Sequence, residues 1–223
     1  MIHQFEHNTS LAKYWINEKE GRNAIIGQRN KDDGLVLPYQ TYRLGFRAVA
    51  GNTNIRTIIC GSIPPNVFCG NSLLVSENLN GINLLSAQAF LNSFIVDFYA
   101  RQMVTTNINM FYIYQLPVPR LCATDKWYTE IVEKSAKLIC TTLEFAELWE
   151  EVMQTTWSAA AAATQATERN QLRAELDGII AHIYGLSEQE FQYILSTFPI
   201  VPAAQKERTL EEYKKLVEKG SVE

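Results

Sequence analysis

The apolar pattern of this chain changes period along its length, and that change constrains what it can fold into more than any other feature. Tyr42, Leu44, Phe46 and Ala48 alternate with Arg43, Gly45 and Arg47, the two-residue repeat of a strand with one covered face. Leu84, Ala87, Leu91, Phe94, Ile95 and Phe98 recur at helical spacing instead, which predicts one long helix from Leu84 to Met103. Asn109 to Leu116 alternates again, Phe111 and Ile113 against Tyr112 and Tyr114, until Pro117-Val118-Pro119 stops it. Both periods in one chain predict an α+β fold, mainly antiparallel strands packed on a long helix, followed by a C-terminal helical region.

Punctuation refines this. Ala50-Gly51-Asn52-Thr53 is a turn signal, and Asn54 to Cys60 is rich in β-branched residues, so a hairpin is expected there. A further strand is expected from Val67 to Val75, after the Pro64-Pro65 break. From Asp125 the character is helical: Trp127 to Thr156 holds no proline or glycine, and Ala159–Ala163 continues the bias after a break near Trp157-Ser158. Leu172, Leu176, Ile179, Ile180 and Ile183 form one stripe, with Gly185 as the residue that ends the helix. Ser187 to Glu190 reads as a capping box opening the next helix, and Thr209 to Glu212 as another opening a charged last one. Two domains are expected, an α+β unit over 1–120 and a helical region over 121–223.

Charge separates the same two parts. Residues 1–120 carry ten Lys and Arg against seven Asp and Glu, or +3, whereas 121–223 carry ten against seventeen, or −7. The net −4 argues weakly against a chain built solely to grip nucleic acid, but the asymmetry suggests two surfaces with different work. No basic and apolar leader opens the chain, and its most apolar stretch, Leu84 to Ala100, is broken by Gln88, Asn92, Ser93 and Asp97, so no membrane partner is expected. Cys60, Cys69, Cys122 and Cys140 form no CxxC pair and read as reduced thiols of a cytoplasmic protein.

Catalytic patterns are missing. No phosphate-binding glycine loop, dinucleotide fingerprint or nucleophile motif is present. Asp32-Asp33 lacks the lysine-bearing strand of a nuclease, His3 and His7 read as surface histidines, and His182 sits beside an apolar stripe as a packed helix residue. No catalytic residue and no metal site is assigned, and a free-standing enzyme ranks last among the readings.

Several segments resemble a known family in order along the chain. Met1 to His7 (MIHQFEH) is similar to the segment that follows the catalytic domain of large N6-adenine DNA methyltransferases, the single-chain type IIG restriction–modification enzymes and related phage-defence methylases. Tyr42 to Thr57 (YRLGFRAVAGNTNIRT), Ile63-Pro64-Pro65, Cys69-Gly70-Asn71-Ser72, Leu91 to Phe98 (LNSFIVDF) and Phe111 to Pro119 (FYIYQLPVP), similar to the strand that closes the family's recognition domain, continue the resemblance. Arg173 to Asp177 and Ala181 to Ser187 resemble the family's helical tail. The family's S-adenosylmethionine loop and Asn-Pro-Pro-Tyr motif have no counterpart; the one Pro-Pro here follows Ile63. The resemblance therefore implies the C-terminal target-recognition part of a larger enzyme, or a separated recognition subunit. No cofactor is expected in this chain, S-adenosylmethionine belonging to the absent catalytic domain. The implied partners are double-stranded DNA and a methyltransferase domain.

Such a part must grip phosphates and read base edges, and Arg, Asn and Gln suit base edges because they bond them bidentately. The candidates are Arg29, Asn30 and Lys31 in an early polar loop, Asn52 and Asn54 at the turn, Asn107 before the closing strand, and Arg43, Arg47 and Arg56 on the hairpin. A two-residue turn at Gly51-Asn52 would set Arg47 directly opposite Arg56, a repulsive pair unless an anion lies between them. That anion is either a DNA phosphate or a buried acid such as Asp97. The alternative function is a protein-interaction or structural module without DNA readout.

Overall fold

The computed structural model describes residues 15–27, 32–51, 54–77, 79–104 and 106–220. Helix α1 (Glu18–Ile26) is capped by Asn17, whose side chain accepts from Lys19 N and Glu20 N. Three short strands follow, β1 (Arg43–Arg47), β2 (Cys60–Ile63) and β3 (Leu73–Val75). They form an antiparallel sheet in the order β2-β1-β3. The alternation of β1 holds: Leu44 and Phe46 are in the core, and Arg43 and Arg47 lie on the opposite face by the pleat.

Around the sheet the described residues are helical: α2 (Gly81–Leu91), α3 (Phe94–Met103), a single turn α4 (Met110–Ile113), α5 (Tyr128–Ile139), α6 (Ala146–Met153), α7 (Ala166–Ile183), α8 (Glu188–Ser196) and α9 (Ala203–Gly220). The α+β expectation is met, with helices dominating. One buried apolar cluster runs from Leu44 and Phe46 of the sheet through Leu84, Phe90 and Phe94 to Ile180, Phe191 and Tyr213 of the tail helices. Among the described residues no helix is long and apolar enough to cross a membrane.

Local chemistry explains where the elements differ from their sequence pattern. The expected long helix is two helices, because Ser93 restarts it: its hydroxyl donates to Phe90 O and accepts from Val96 N as the cap of α3. Asn92, at the break, donates to Cys60 O and so ties the bend to β2. The alternating Asn109–Leu116 segment is α4 and a turn, not a strand, since Asn109 caps it by accepting from Tyr112 N. The stretch from Trp127 is broken at Cys140–Thr142, where Trp157 Nε1 donates to Cys140 O. Ala159–Ala163 is turn rather than helix, and Ala163 bonds back to Lys137 O.

The tail follows its signals more closely. Gly185 adopts φ +66° at the end of α7, and the Leu186 N–H reaches back to Ala181 O. Ser187 and Glu190 form the reciprocal capping box of α8. Gly178 lets α7 lie against α9, as a side chain there would meet the Tyr213 backbone nitrogen at 2.9 Å. Thr209 does not open the last helix. It is buried inside α9, its hydroxyl donating to Gln205 O, and α9 begins directly after Pro202.

Candidate functional site

The hairpin connection decides which candidate residues meet. Strand β1 pairs Arg43 with Ile63 and Phe46 with Cys60, and Arg47 N donates to Ile59 O. The register is therefore three residues wider than a tight Gly51-Asn52 turn would give, and Arg47 does not face Arg56. The reason is on α3. Asp97 Oδ1 accepts from Thr57 N at 2.8 Å and from Ile58 N at 2.7 Å, capturing the donors that a longer β2 would have offered to β1. Residues 54–58 thus leave the sheet and fold over α3.

Arg56 is carried inward by that excursion. It is 4% exposed, with its guanidinium carbon 3.4 Å from the Phe94 ring centroid and 5.1 Å from that of Phe198. Asp177 of α7 stands 3.9 Å away, while Arg56 Nε and Nη1 have no hydrogen-bond acceptor. Stacking on Phe94 supplies part of what those donors lack. Arg101, one turn after Asp97, bonds it at 3.1 Å and covers the Phe198 ring at 4.1 Å. Burial raises the Asp177 carboxyl to about 6, against the opposing pull of Arg56 and of the Phe94 N–H it accepts. Burial raises Asp97 as well and holds Arg56 below the usual guanidinium range. The anion beside Arg56 in the folded chain is thus a pair of internal carboxylates, and no phosphate can reach it without opening the core.

Arg43 is also internal. It is buried on the outer face of the sheet, donating through Nη2 to Val67 O at 2.6 Å and through Nε to Thr41 O. Burial lowers its pKa. Arg22, paired with Asp32 at 2.5 Å, bonds Tyr39 and Gln40 as well, so Asp32 serves here as the acid of an arginine clasp. In the basic front half, Arg22, Arg43, Arg56 and Arg101 all neutralise or bond internal groups. Lys19, Arg120 and the partly exposed Arg47 are the cations among its described residues that face water.

The remaining described candidates do come together. Arg47 Nε donates to Val49 O at 2.7 Å, and Asn54, with its amide turned so that oxygen faces the donors, accepts from Arg47 Nη2 at 3.1 Å. Val49 forms an isolated antiparallel bridge with Asn107, fixed by Ala50 N to Thr106 O and Ile108 N to Ala48 O. Arg47, Asn54 and Asn107, from three separate segments, thereby line one solvent-facing edge around Val49. Asn54 and Asn107 are exposed. Phe111 and Tyr114, 68% and 78% exposed, follow from the adjoining α4 turn. The single turn of helix, unreadable as such from the alternating pattern, is what leaves these two rings outside. Arg29, Asn30, Lys31 and Asn52 lie outside the described residues, as do His3 and His7.

Other chemistry is sparse among the described residues. No group of three or more His, Cys, Asp or Glu is placed to hold a metal ion. A hollow of about 290 Å³ lies beside Tyr42, Gly81, Glu147 and Glu151, but Glu151 already accepts from the Gly81 N–H there. A second, of about 200 Å³, lies around the Lys134–Glu175 ion pair. The second falls short of the ~300–1,000 Å³ usual for small-molecule sites, and the first stands at its lower edge. No family model, curated protein or solved structure matches the chain.

Proposed function

We propose that this chain is the DNA target-recognition (specificity) portion of an N6-adenine DNA methyltransferase of the restriction–modification kind. The edge formed by Arg47, Asn54 and Asn107 is presented to duplex DNA. Methyl transfer and S-adenosylmethionine binding belong, on this reading, to a methyltransferase domain that this portion positions. The observation that carries it is the convergence of those three side chains on one open edge. Each is a type that bonds base edges or phosphate, and the segment that brings Arg47 and Asn54 is among those resembling the family. The acidic helices repel phosphate and are suited to supporting the edge from behind.

The test is binding of a fluorescent duplex by the wild type and by an Arg47→Ala/Asn54→Ala/Asn107→Ala variant at salt concentrations between about 50 and 200 mM. Salt-sensitive binding that the triple variant loses supports the reading. Binding that the variant retains in full removes this edge from the interface. A protein-interaction module is the second reading, and the exposed Val49 and Ile55 side chains on the same edge favour it, at 62% and 46% exposure. Absence of duplex binding combined with capture of a protein through that edge would decide for it.

A further inference from the structure

The loop that carries Asn54 has little sheet to hold it. Between the bridge at Val49 and Ile59, whose carbonyl accepts from Arg47 N, residues 54–58 lie outside any ladder. Their backbone is gripped by two side chains of α3 one turn apart. Asp97 Oδ1 takes the amides of Thr57 and Ile58. Arg101 Nη2 donates to Asn54 O at 2.6 Å and Ile55 O at 3.0 Å, and Nη1 donates to Thr197 O at 3.4 Å. The Asp97–Arg101 ion pair joins the two grips, and both charges are almost wholly removed from water. Phe198 lies against both Arg56 and Arg101, so the turn after α8 closes the arrangement from the tail side.

From this geometry we infer that Asp97 and Arg101 are positioning residues for the recognition edge. They set where Asn54 stands relative to Arg47 and Asn107 and so determine sequence discrimination without touching DNA. This rests on the DNA-reading function proposed above. Discrimination is sensitive to such placement because bidentate contacts require a side chain to meet two base atoms at once, whereas phosphate attraction tolerates displacement. Arg101 is suited to the task because one planar fork can hold three carbonyls and a carboxylate together, which a lysine ammonium cannot. The contact with Thr197 O also makes the loop answer to the tail helices.

The experiment uses the full chain as wild type, Arg101→Met, Arg101→Lys and a control, Arg169→Met. The control also removes a buried guanidinium, but one whose bonds go to Leu138 O and Ala163 O. Each is presented with a library of duplexes randomised at their centre, and amide exchange at Thr57 and Ile58 is followed in parallel. The expected result is that both Arg101 variants keep salt-dependent binding to the pool but lose enrichment of particular sequences by about tenfold or more. Exchange at Thr57 and Ile58 rises by a similar factor, while Arg169→Met changes neither. The lysine variant keeps the charge on a single donor nitrogen, and it carries the test should the methionine variant not fold. Unchanged enrichment despite faster exchange overturns the positioning role, and unchanged exchange overturns the coupling of the Arg101 contacts to the amides that Asp97 holds. A wild type that binds no duplex refutes the DNA reading and this role with it, while leaving the grip visible in the exchange data.

Discussion

Arg47 and Arg56 bracket the same loop, and their side chains end in opposite environments. Arg47 lies along the rim with Asn54 and the Val49 carbonyl, within reach of solvent. Arg56 is enclosed between two phenyl rings and two carboxylates. Their difference teaches that a basic residue flanking such a loop has one of two uses, contact outside or organisation inside, and that the deciding partner is an acid far away in sequence. Asp97 and Asp177 make Arg56 internal. Arg47 has an Asn and a carbonyl instead, and remains available to an anion.

The largest effect should come from breaking the inner region. Asp97→Ala leaves Arg101 without its carboxylate and the Thr57 and Ile58 amides without an acceptor, so a loss of about 3–5 kcal/mol in urea unfolding is expected. Asp97→Asn keeps an acceptor oxygen for both amides and should lose clearly less. Equal losses would show that charge, and not the amide grip, dominates the cluster.

Asp177 sharpens the comparison through pH. Its carboxyl is raised from the ordinary range to about 6, so the folded chain binds a proton more tightly than the unfolded one. The penalty for its charge is fully present above pH 6 and is relieved as the pH falls from about 6 towards 4. Relative to Asp177→Asn, which retains an oxygen for Phe94 N, the wild type should gain on the order of 1–3 kcal/mol between about pH 7 and pH 4.5. Urea midpoints of the two proteins at both pH values measure it, and parallel midpoints would place Asp177's ionisation outside the folding equilibrium. Away from both regions, Ser187→Ala removes the α8 capping box and should cost about 1 kcal/mol with duplex binding unchanged. The smallest stability effect belongs to the rim: Arg47→Ala should shift unfolding by less than about 0.5 kcal/mol yet lower the salt dependence of duplex binding by roughly one ion.

Local patterns were legible in the sequence, and partnerships between distant residues were not. The β1 alternation, the stripe of α7, the Gly185 ending and the Ser187 box are local patterns with local causes, and each appears in place. The two-strand register was not legible, because Asp97 lies some forty residues beyond the amides it captures. Nor was the fate of Arg56, whose partner Asp177 is more distant still. Asp97 was legible as a possible acid for one hairpin arginine; that it would serve Arg101 and two backbone amides was not. The helix break at Ser93 had a signal, the Asn92-Ser93 pair inside an apolar stripe, which capping chemistry reads as a restart. Alternation over Asn109–Leu116 misled because eight residues suit either a strand or one capped turn, and Asn109 decides between them.

Photo-cross-linking of a bromodeoxyuridine-substituted duplex, followed by mapping of the adducted peptides, tests the central claim most directly. Adducts within residues 47–54 and 106–114, with none at Arg56, are the predicted result. Adducts confined to the acidic helices beyond residue 121, or attached to Arg56 itself, would contradict the account.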